Sequence, residues 1–430
     1  MSTYEHSVAL DVAKCTGCTT CLQHCPTEAI RIRDGRAVID SERCIDCGVC
    51  ISVCPHKAKR ATYSHLEEIA QYRYKIALPS PSLYGQISGV DDIDYIVQGL
   101  YDVGFDDVYE VGAAAELFSS YTRMYMNTPG VKKPVISSTC PAVLRLISLR
   151  FPFLRENVMP LLPPMEMAAI LAKRRAKERH PELADEDICA CFISPCPAKV
   201  SFVRNEVTGQ KSAIDKIVSV SDIYFALLGV MKRDRIPEVS AQSGAIGVGW
   251  AASGGESMAT FNESYLAADG IENVVHVLDE IENGNIQGLE FIELNACPGG
   301  CVGGAMTVEN PFIAKARLLS LRRYLPSKCN LPPPEETGIP EEFLFDGLPF
   351  YTPCNRLSDN LGESMRMMAQ IEQIRKSLPG IDCGACGAPS CRAYAEDAVR
   401  GKPCGGCVVR MSRARTDREE KAEAEEEDHA

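Results

Sequence analysis

The chain has 430 residues, 45% of them hydrophobic and 24% charged, an ordinary make-up for a soluble globular protein of two to four domains. A formal net charge of -13 argues against nucleic acid or an anionic membrane as the main partner, and no uncharged apolar run nears the roughly 20 residues of a membrane helix. The anomaly is 21 cysteines, which in CxxC spacings within a long chain read as metal ligands rather than disulfides.

"MSTYEHSVAL" lacks a basic region followed by an apolar run, so no signal peptide and a cytoplasmic location are expected. Residues 1–60 hold an internal repeat, "CTGCTTCLQHCP" (15–26) and "CIDCGVCISVCP" (44–55). C-x2-C-x2-C-x3-C-P, twice, is the spacing of a bacterial dicluster ferredoxin, in which the fourth cysteine of each run ligates the other cluster. That rule groups Cys15, Cys18 and Cys21 with Cys54, and Cys44, Cys47 and Cys50 with Cys25, around two [4Fe-4S] clusters. Between the runs, "AIRIRDGRAVID" reads as a hairpin turning at Asp34-Gly35. The domain is expected to be α+β and ferredoxin-like.

Residues 61–76, with "SHLEEIAQYRYK", read as a polar helical linker. From 77 to about 355, strand-like runs alternate with helical ones such as "VLRLISLRFPFL" and "MEMAAILAKRRAKE", which predicts an α/β domain. Three apolar strands, "KPVISSTC", "DICACFISPC" and "LEFIELNAC", each end at a cysteine, and sites cluster at the carboxyl ends of such strands. The stretch 363–412 opens with a helix, "ESMRMMAQIEQIRKSL", and closes with "CGACGAPSCRAYAEDAVRGKPCGGC". Residues 413–430 form an acidic, solvated tail expected to be disordered.

"SSTCPAV" (137–143), "SPCPAK" (194–199) and "ELNACPGGCVGG" (293–304) together resemble the three signature loops of the [FeFe]-hydrogenases, over about 280 central residues. The resemblance implies a two-lobed α/β domain holding an H-cluster. In that cofactor a [4Fe-4S] cube shares one cysteine with a diiron subcluster that carries CO, CN and dithiolate ligands. Carried onto this chain, Cys140, Cys196, Cys297 and Cys301 hold the cube and Cys301 is the bridge. Lys199 would pair with an iron-bound cyanide. Gly299, Gly300, Gly303 and Gly304 would let the backbone lie against the cofactor, and Ser253, Gly254 and Gly255 in "AASGGES" would face it with backbone N–H groups. An ordinary cube without the diiron unit remains an alternative for the same cysteines. The last cysteine group resembles a small iron-sulfur domain of electron-transfer proteins, C-x2-C-x4-C-x15-C, implying Cys383, Cys386, Cys391 and Cys407 as ligands of one more [4Fe-4S] cluster, with zinc as the alternative.

The pattern also departs from catalytic members. Thr139 stands where they carry a proton-passing cysteine, and a hydroxyl is a far weaker acid than a thiol of pKa about 8.5. Ser194, Phe202, Asn295 and Ala305 replace other family residues around the loops. Ligands kept and proton delivery altered resemble the sensory type. Glu116, in "VGAAAELF", is the candidate surviving acid of the proton path.

Three readings follow. The first is a ferredoxin-type hydrogenase that interconverts H2 with two protons and two electrons, relayed through the 4Fe-4S clusters to a ferredoxin or other redox protein. The second is a slow version of that site read by a signalling partner, and the third an iron-sulfur carrier or assembly protein with no diiron unit.

Overall fold

A computed structural model describes residues 4–205, 210–231, 236–238, 241–327, 330–333, 338–345, 356–402 and 405–413. Apart from Arg413, the tail read at 413–430 lies outside them, as do Cys329, Cys354 and Cys404. The N-terminal unit carries β1 (Val8–Leu10), β2 (Ile30–Arg33), β3 (Arg36–Ile39) and β4 (Lys59–Ala61). β2 and β3 form an antiparallel hairpin in which Arg33 faces Arg36. Asp34 and Gly35 take φ of 48° and 71°, the left-handed pair that a two-residue hairpin turn needs. β1 pairs antiparallel with β4, so the two cysteine runs lie back to back in a pseudo-twofold unit.

The expected helical linker at 61–76 is not a helix. It holds one 3-10 turn, Leu66–Ile69, closed by Glu68 accepting from the His65 amide at 2.9 Å, and its end enters β5 (Tyr74–Pro79). Parallel pairing with a distant strand claims only the end of the linker, Tyr74 to Ile76.

The central domain adds β6 (Asp107–Val108), β7 (Val135–Ile136), β8 (Ile188–Ser194), β9 (Lys216–Ser219), β10 (Tyr265–Asp269) and β11 (Phe291–Asn295). They form two parallel sheets, ordered β6-β5-β8-β9 and β10-β11-β7. Every residue of β8 is buried, as befits a strand covered on both faces. The helices Val111–Met126, Pro141–Arg150 and Pro164–Arg179 fill the core between the sheets, which includes Phe118, Tyr121, Phe192 and Phe291. The domain is thus α/β and two-lobed.

At the C terminus, helices Leu361–Lys376 and Cys391–Val399 pack together and dock on the N-terminal unit. The Gly387 carbonyl accepts from the Ile32 amide at 2.9 Å, extending the hairpin edge. Asp397, 3% exposed, is clamped by Arg31 at 2.7 Å and Arg33 at 2.6 Å, and Glu396 pairs with Arg43 at 2.5 Å.

Candidate metal centre

Sixteen cysteines gather into four groups of four. Cys15, Cys18, Cys21 and Cys54 line a cavity of about 290 Å³. Cys25, Cys44, Cys47 and Cys50 line one of about 360 Å³, and Cys383, Cys386, Cys391 and Cys407 another of about 360 Å³. The amides of Ala29 and Ala58 donate to the Cys25 and Cys54 sulfurs at 3.2 and 3.3 Å, at the same place in each repeat. Such N–H groups favour a thiolate. For Cys54 burial works the other way, but the amides of residues 56–59 outweigh it and hold the pKa below the ordinary thiol value.

The fourth group is built by loops that leave the carboxyl ends of three parallel strands. The chain runs from β7 through Ser137–Thr139 to Cys140, which caps the helix Pro141–Arg150. It runs from β8 to Cys196, which caps Pro197–Arg204, and from β11 to Cys297 and Cys301. Proline in the first turn of both helices presets the entry and needs no amide partner. Cys140, Cys196 and Cys297 each feel the charge of Cys301 and of Lys199, whose Nζ stands 3.6 Å from the Cys301 Sγ. Burial, then the neighbouring sulfurs, push Cys297 well above an ordinary thiol, and burial lifts Cys196 to about 11. Burial alone would lower the Lys199 pKa, but the surrounding thiolates overrule it and raise it. Four thiols packed round one ammonium cannot all ionise unaided. A polycationic cluster removes that conflict, so the donor set fits an iron-sulfur cube.

No three His, Cys, Asp or Glu side chains among the described residues approach closely enough to hold one metal ion. A single zinc draws its thiolates to about 2.3 Å, whereas a cube spreads four of them over four separate irons. Each group offers the four-thiol donor set that a cube takes.

Beside Cys301 lies a cavity lined among others by Thr139, Lys199, Trp250, Glu256, Glu293 and Asn295. Two of these, Glu256 and Glu293, are acids that the sequence reading did not single out. Both carboxylates are buried, at 3% and 2% exposure. Glu293 accepts from the Gly254 amide (3.0 Å), the Ser257 amide (2.8 Å) and the Asn295 amide group (2.9 Å), a set that favours its ionised form. Glu256 meets only hydroxyls, Ser137 Oγ at 2.7 and 2.8 Å and Thr139 Oγ1 at 3.0 Å. Ser137 and Thr139 also touch each other at 2.9 Å, so two hydroxyl protons serve four oxygen contacts. A proton on Glu256 fills the gap. Burial, then the charge of Glu293, push the Glu256 pKa up to about 8, and burial raises Glu293 as well against the pull of its amide donors, so the pair as a unit is poised to hold a proton near neutrality.

Three sequence expectations are corrected here. Glu116 does not line this cavity. Its buried carboxylate accepts from the amides of Gly244, Gly247 and Asn330 and from the Asn330 side chain, at 2.6 to 3.0 Å, fastening the helix Val111–Met126 to a turn. The N–H groups of Ser253, Gly254 and Gly255 do not face the cavity, because they donate to Gly299 O, Glu293 and Ala252 O. The same segment instead contributes Trp250, Ala251 and Glu256 to the lining. The glycines of the last loop serve contact between chain segments: a Cβ on Gly300, φ 93°, would lie 2.5 Å from Ser253 N, and one on Gly304 would lie 2.2 Å from Pro195 O. That approach of Gly304 to Pro195 brings the Cys301 loop against the Cys196 loop. Gly299 (φ 75°) and Gly303 complete the turn, and a Cβ on Gly303 would meet Pro298 O.

Two parallel-sheet lobes closing on a four-cysteine centre, with a chain of further four-cysteine cavities, define an iron-sulfur oxidoreductase architecture. The family model for the iron only hydrogenase large subunit, C-terminal domain, matches residues 73–261 and 256–305, more than half the chain. The protein belongs to that family. A 4Fe-4S dicluster domain matches residues 7–55 and a putative Fe-S cluster domain residues 378–409. The periplasmic [Fe] hydrogenase large subunit of Nitratidesulfovibrio vulgaris is 26% identical over 377 residues, covering 72% of this chain and 88% of that protein. Solved structures similar to this chain include the [FeFe]-hydrogenase HydA(deltaEFG), with 15% identity and a TM-score of 0.46. A variant of [FeFe]-hydrogenase HydA1 from Chlamydomonas reinhardtii has 15% identity and a TM-score of 0.47. Each match covers 60% of this chain and 86% of the other. No described helix is long and apolar enough to cross a membrane.

Proposed function

We propose that the protein is an [FeFe]-hydrogenase of low turnover that interconverts H2 with protons and electrons and passes the electrons through its 4Fe-4S clusters. The observation that carries this reading is the cavity beyond Cys301, which brings one ammonium and a proton-holding carboxyl pair to the side of a four-thiol centre. A plain electron-transfer cube needs no such cavity. When bound, the H-cluster would supply the splitting of H2. Cys140, Cys196, Cys297 and Cys301 would hold its cube, with Cys301 shared with the diiron unit.

The chain's own residues then divide the remaining work. Lys199 presents a buried cation to an anionic ligand. Trp250 and Ala251 wall the cavity against water. Glu256 holds a proton near neutrality, and the Thr139 hydroxyl, in contact with it, carries that proton between the carboxyl and the cavity. A hydroxyl passes a proton on by taking one and giving one, with no populated ionised state, so delivery is slower than through a thiol. Slow delivery with every candidate ligand in place supports a sensory role, in which a redox or signalling partner reads the cluster state.

Infrared spectroscopy of protein matured with the diiron cofactor tests the reading. CO and CN stretching bands are expected, and Cys301→Ala should lose them while keeping cube signals in electron paramagnetic resonance. Absence of the bands from the matured wild type would leave the carrier reading in possession.

A further inference from the structure

The two halves of the N-terminal repeat are not equivalent in charge. "CPTEAI" (25–30) and "CPHKAK" (54–59) align residue for residue, which sets Ile30 opposite Lys59. Both are buried, at 2% and 4% exposure. Ile30 lines the cavity of Cys25, Cys44, Cys47 and Cys50, and Lys59 lines that of Cys15, Cys18, Cys21 and Cys54. The Lys59 Nζ has no hydrogen-bond partner among the described residues. A buried ammonium without a partner is costly, and an apolar side chain at the matching place shows that the turn does not require it. The cost is offset if a negative group occupies the cavity, as a cube with four thiolates is.

A second difference has the opposite sign. In "CTGC" and "CIDC", Gly17 stands opposite Asp46. Asp46, 1% exposed, accepts from the Ser7 amide at 2.9 Å and lies 3.7 Å from the Cys44 Sγ.

Their places along the molecule differ too. The Asp46 side touches the catalytic domain: a Cβ on Gly48 would lie 2.7 Å from that of Ala305, with Pro197 next to it. The C-terminal cysteine loop meets the run that supplies Cys21: Gln23 donates to the Cys383 carbonyl at 3.3 Å and Gly384 packs on Leu22, while the helix beyond that loop reaches Arg43, beside Cys44, through Glu396.

We propose that Lys59 and Asp46 set the two N-terminal cubes at unequal potentials, the outer one higher, so that electrons run outward from the catalytic domain towards the C-terminal cluster. This rests on the cluster assignment made above. A cube gains one negative charge on reduction, so a fixed cation beside it stabilises the reduced form and a fixed anion destabilises it. In each step one electron leaves the inner cube, which is oxidised, and reduces the outer cube. No bond forms or breaks and no proton is required.

The test is a potentiometric titration of the reconstituted full chain, followed by electron paramagnetic resonance. Cys18→Ser identifies the outer signal by its loss. Lys59→Ile, which makes the repeats alike, should lower the outer midpoint markedly. It should lower the inner one less, since the ammonium also reaches Cys50, and leave the C-terminal one in place. Lys59→Arg should restore the wild-type value, and Lys59→Gln serves if the isoleucine variant does not fold. An unmoved outer midpoint at full iron content, or equal falls in both cubes, would overturn the proposal. Missing iron or missing cube signals in the wild type would instead overturn the cluster assignment beneath it.

Discussion

Replacing Glu256 by glutamine separates the proton-store reading from a structural one, because the two readings predict opposite signs for stability. An ordinary carboxyl is about 0.3% protonated at pH 7, whereas one with a pKa of about 8 is about 90% protonated. The cavity therefore multiplies the proton-holding fraction some 300-fold, and glutamine removes it altogether. Loss of a positioned general acid typically costs 10²- to 10⁴-fold in rate, and that is the fall expected for Glu256→Gln. In the wild type, proton reduction should decline as pH rises through about 8 and H2 oxidation should increase over the same range. Both profiles should flatten in the variant.

Stability moves the other way. The folded pKa of Glu256 lies above its unfolded value, so between about pH 4.5 and 8 the folded chain binds more protons than the unfolded one. Wild-type stability therefore falls as pH rises through that window, by up to about 5 kcal/mol for a pKa carried from 4.5 to about 8. Glutamine carries no such penalty and matches the side chain in shape. Denaturant unfolding should show Glu256→Gln less affected than the wild type by a change from pH 6 to pH 9, and the more stable of the two at pH 9. Film electrochemistry on matured protein gives the rate. Unchanged turnover per loaded site, or identical pH dependence of unfolding in the two proteins, would refute the argument.

Thr139→Cys should raise turnover in the same assay, since a thiol of pKa about 8.5 can hold and release a proton beside Glu256. An unchanged rate would show that delivery through this position does not limit. Glu116→Gln should lower the thermal midpoint, because its NH2 replaces one of the two accepting oxygens and so meets donors either at Gly244 and Gly247 or at Asn330, and hydrogen bonds to a charged group contribute about 1.5–3 kcal/mol each. Its rate per loaded site should stay within about twofold of wild type, and a large loss would return Glu116 to the proton path.

The cysteine groups are legible in the sequence because ligand spacing is local. Three thiols within seven residues must lie on one turn, and the repeat then points to the exchange of Cys25 and Cys54. The proton store is not legible in this way. Glu256 and Glu293 are far apart in the chain and meet under Thr139 only because the turn at 254–257 is tied to β11 by two amide bonds. The one local hint was an acid inside the apolar run "FIELN". Glu116 misled for the mirror-image reason. It too is an acid in an apolar stretch, but its partners, Gly244, Gly247 and Asn330, are distant backbone groups that no nearby motif announces. The end of the linker, Tyr74 to Ile76, belongs to a strand whose partner is more than a hundred residues away, which its local spacing does not announce.

The cavity lies at the seam of the two lobes, and the lobes give its walls opposite charge. Cys196 and Lys199 come from the end of β8 in the four-stranded sheet, while Glu293 lies on β11 of the three-stranded sheet and holds the turn that carries Glu256. The cationic wall is also the wall towards the clusters, since Pro197, next to Cys196, packs near Gly48 of the dicluster unit. The acidic wall is reached through Ser137 and Thr139 on the other lobe. On the proposed reading, electrons would leave on the cationic side of the cavity and protons would be handled on the acidic side. The Lys199 charge holds the Glu256 pKa down even as burial and Glu293 raise it. A change in charge on either wall is therefore felt on the other. Removing the cation with Lys199→Met would push the acid further from neutrality and make proton release harder, so its effect on rate should grow as pH falls from 9 towards 7 in the direction of H2 oxidation.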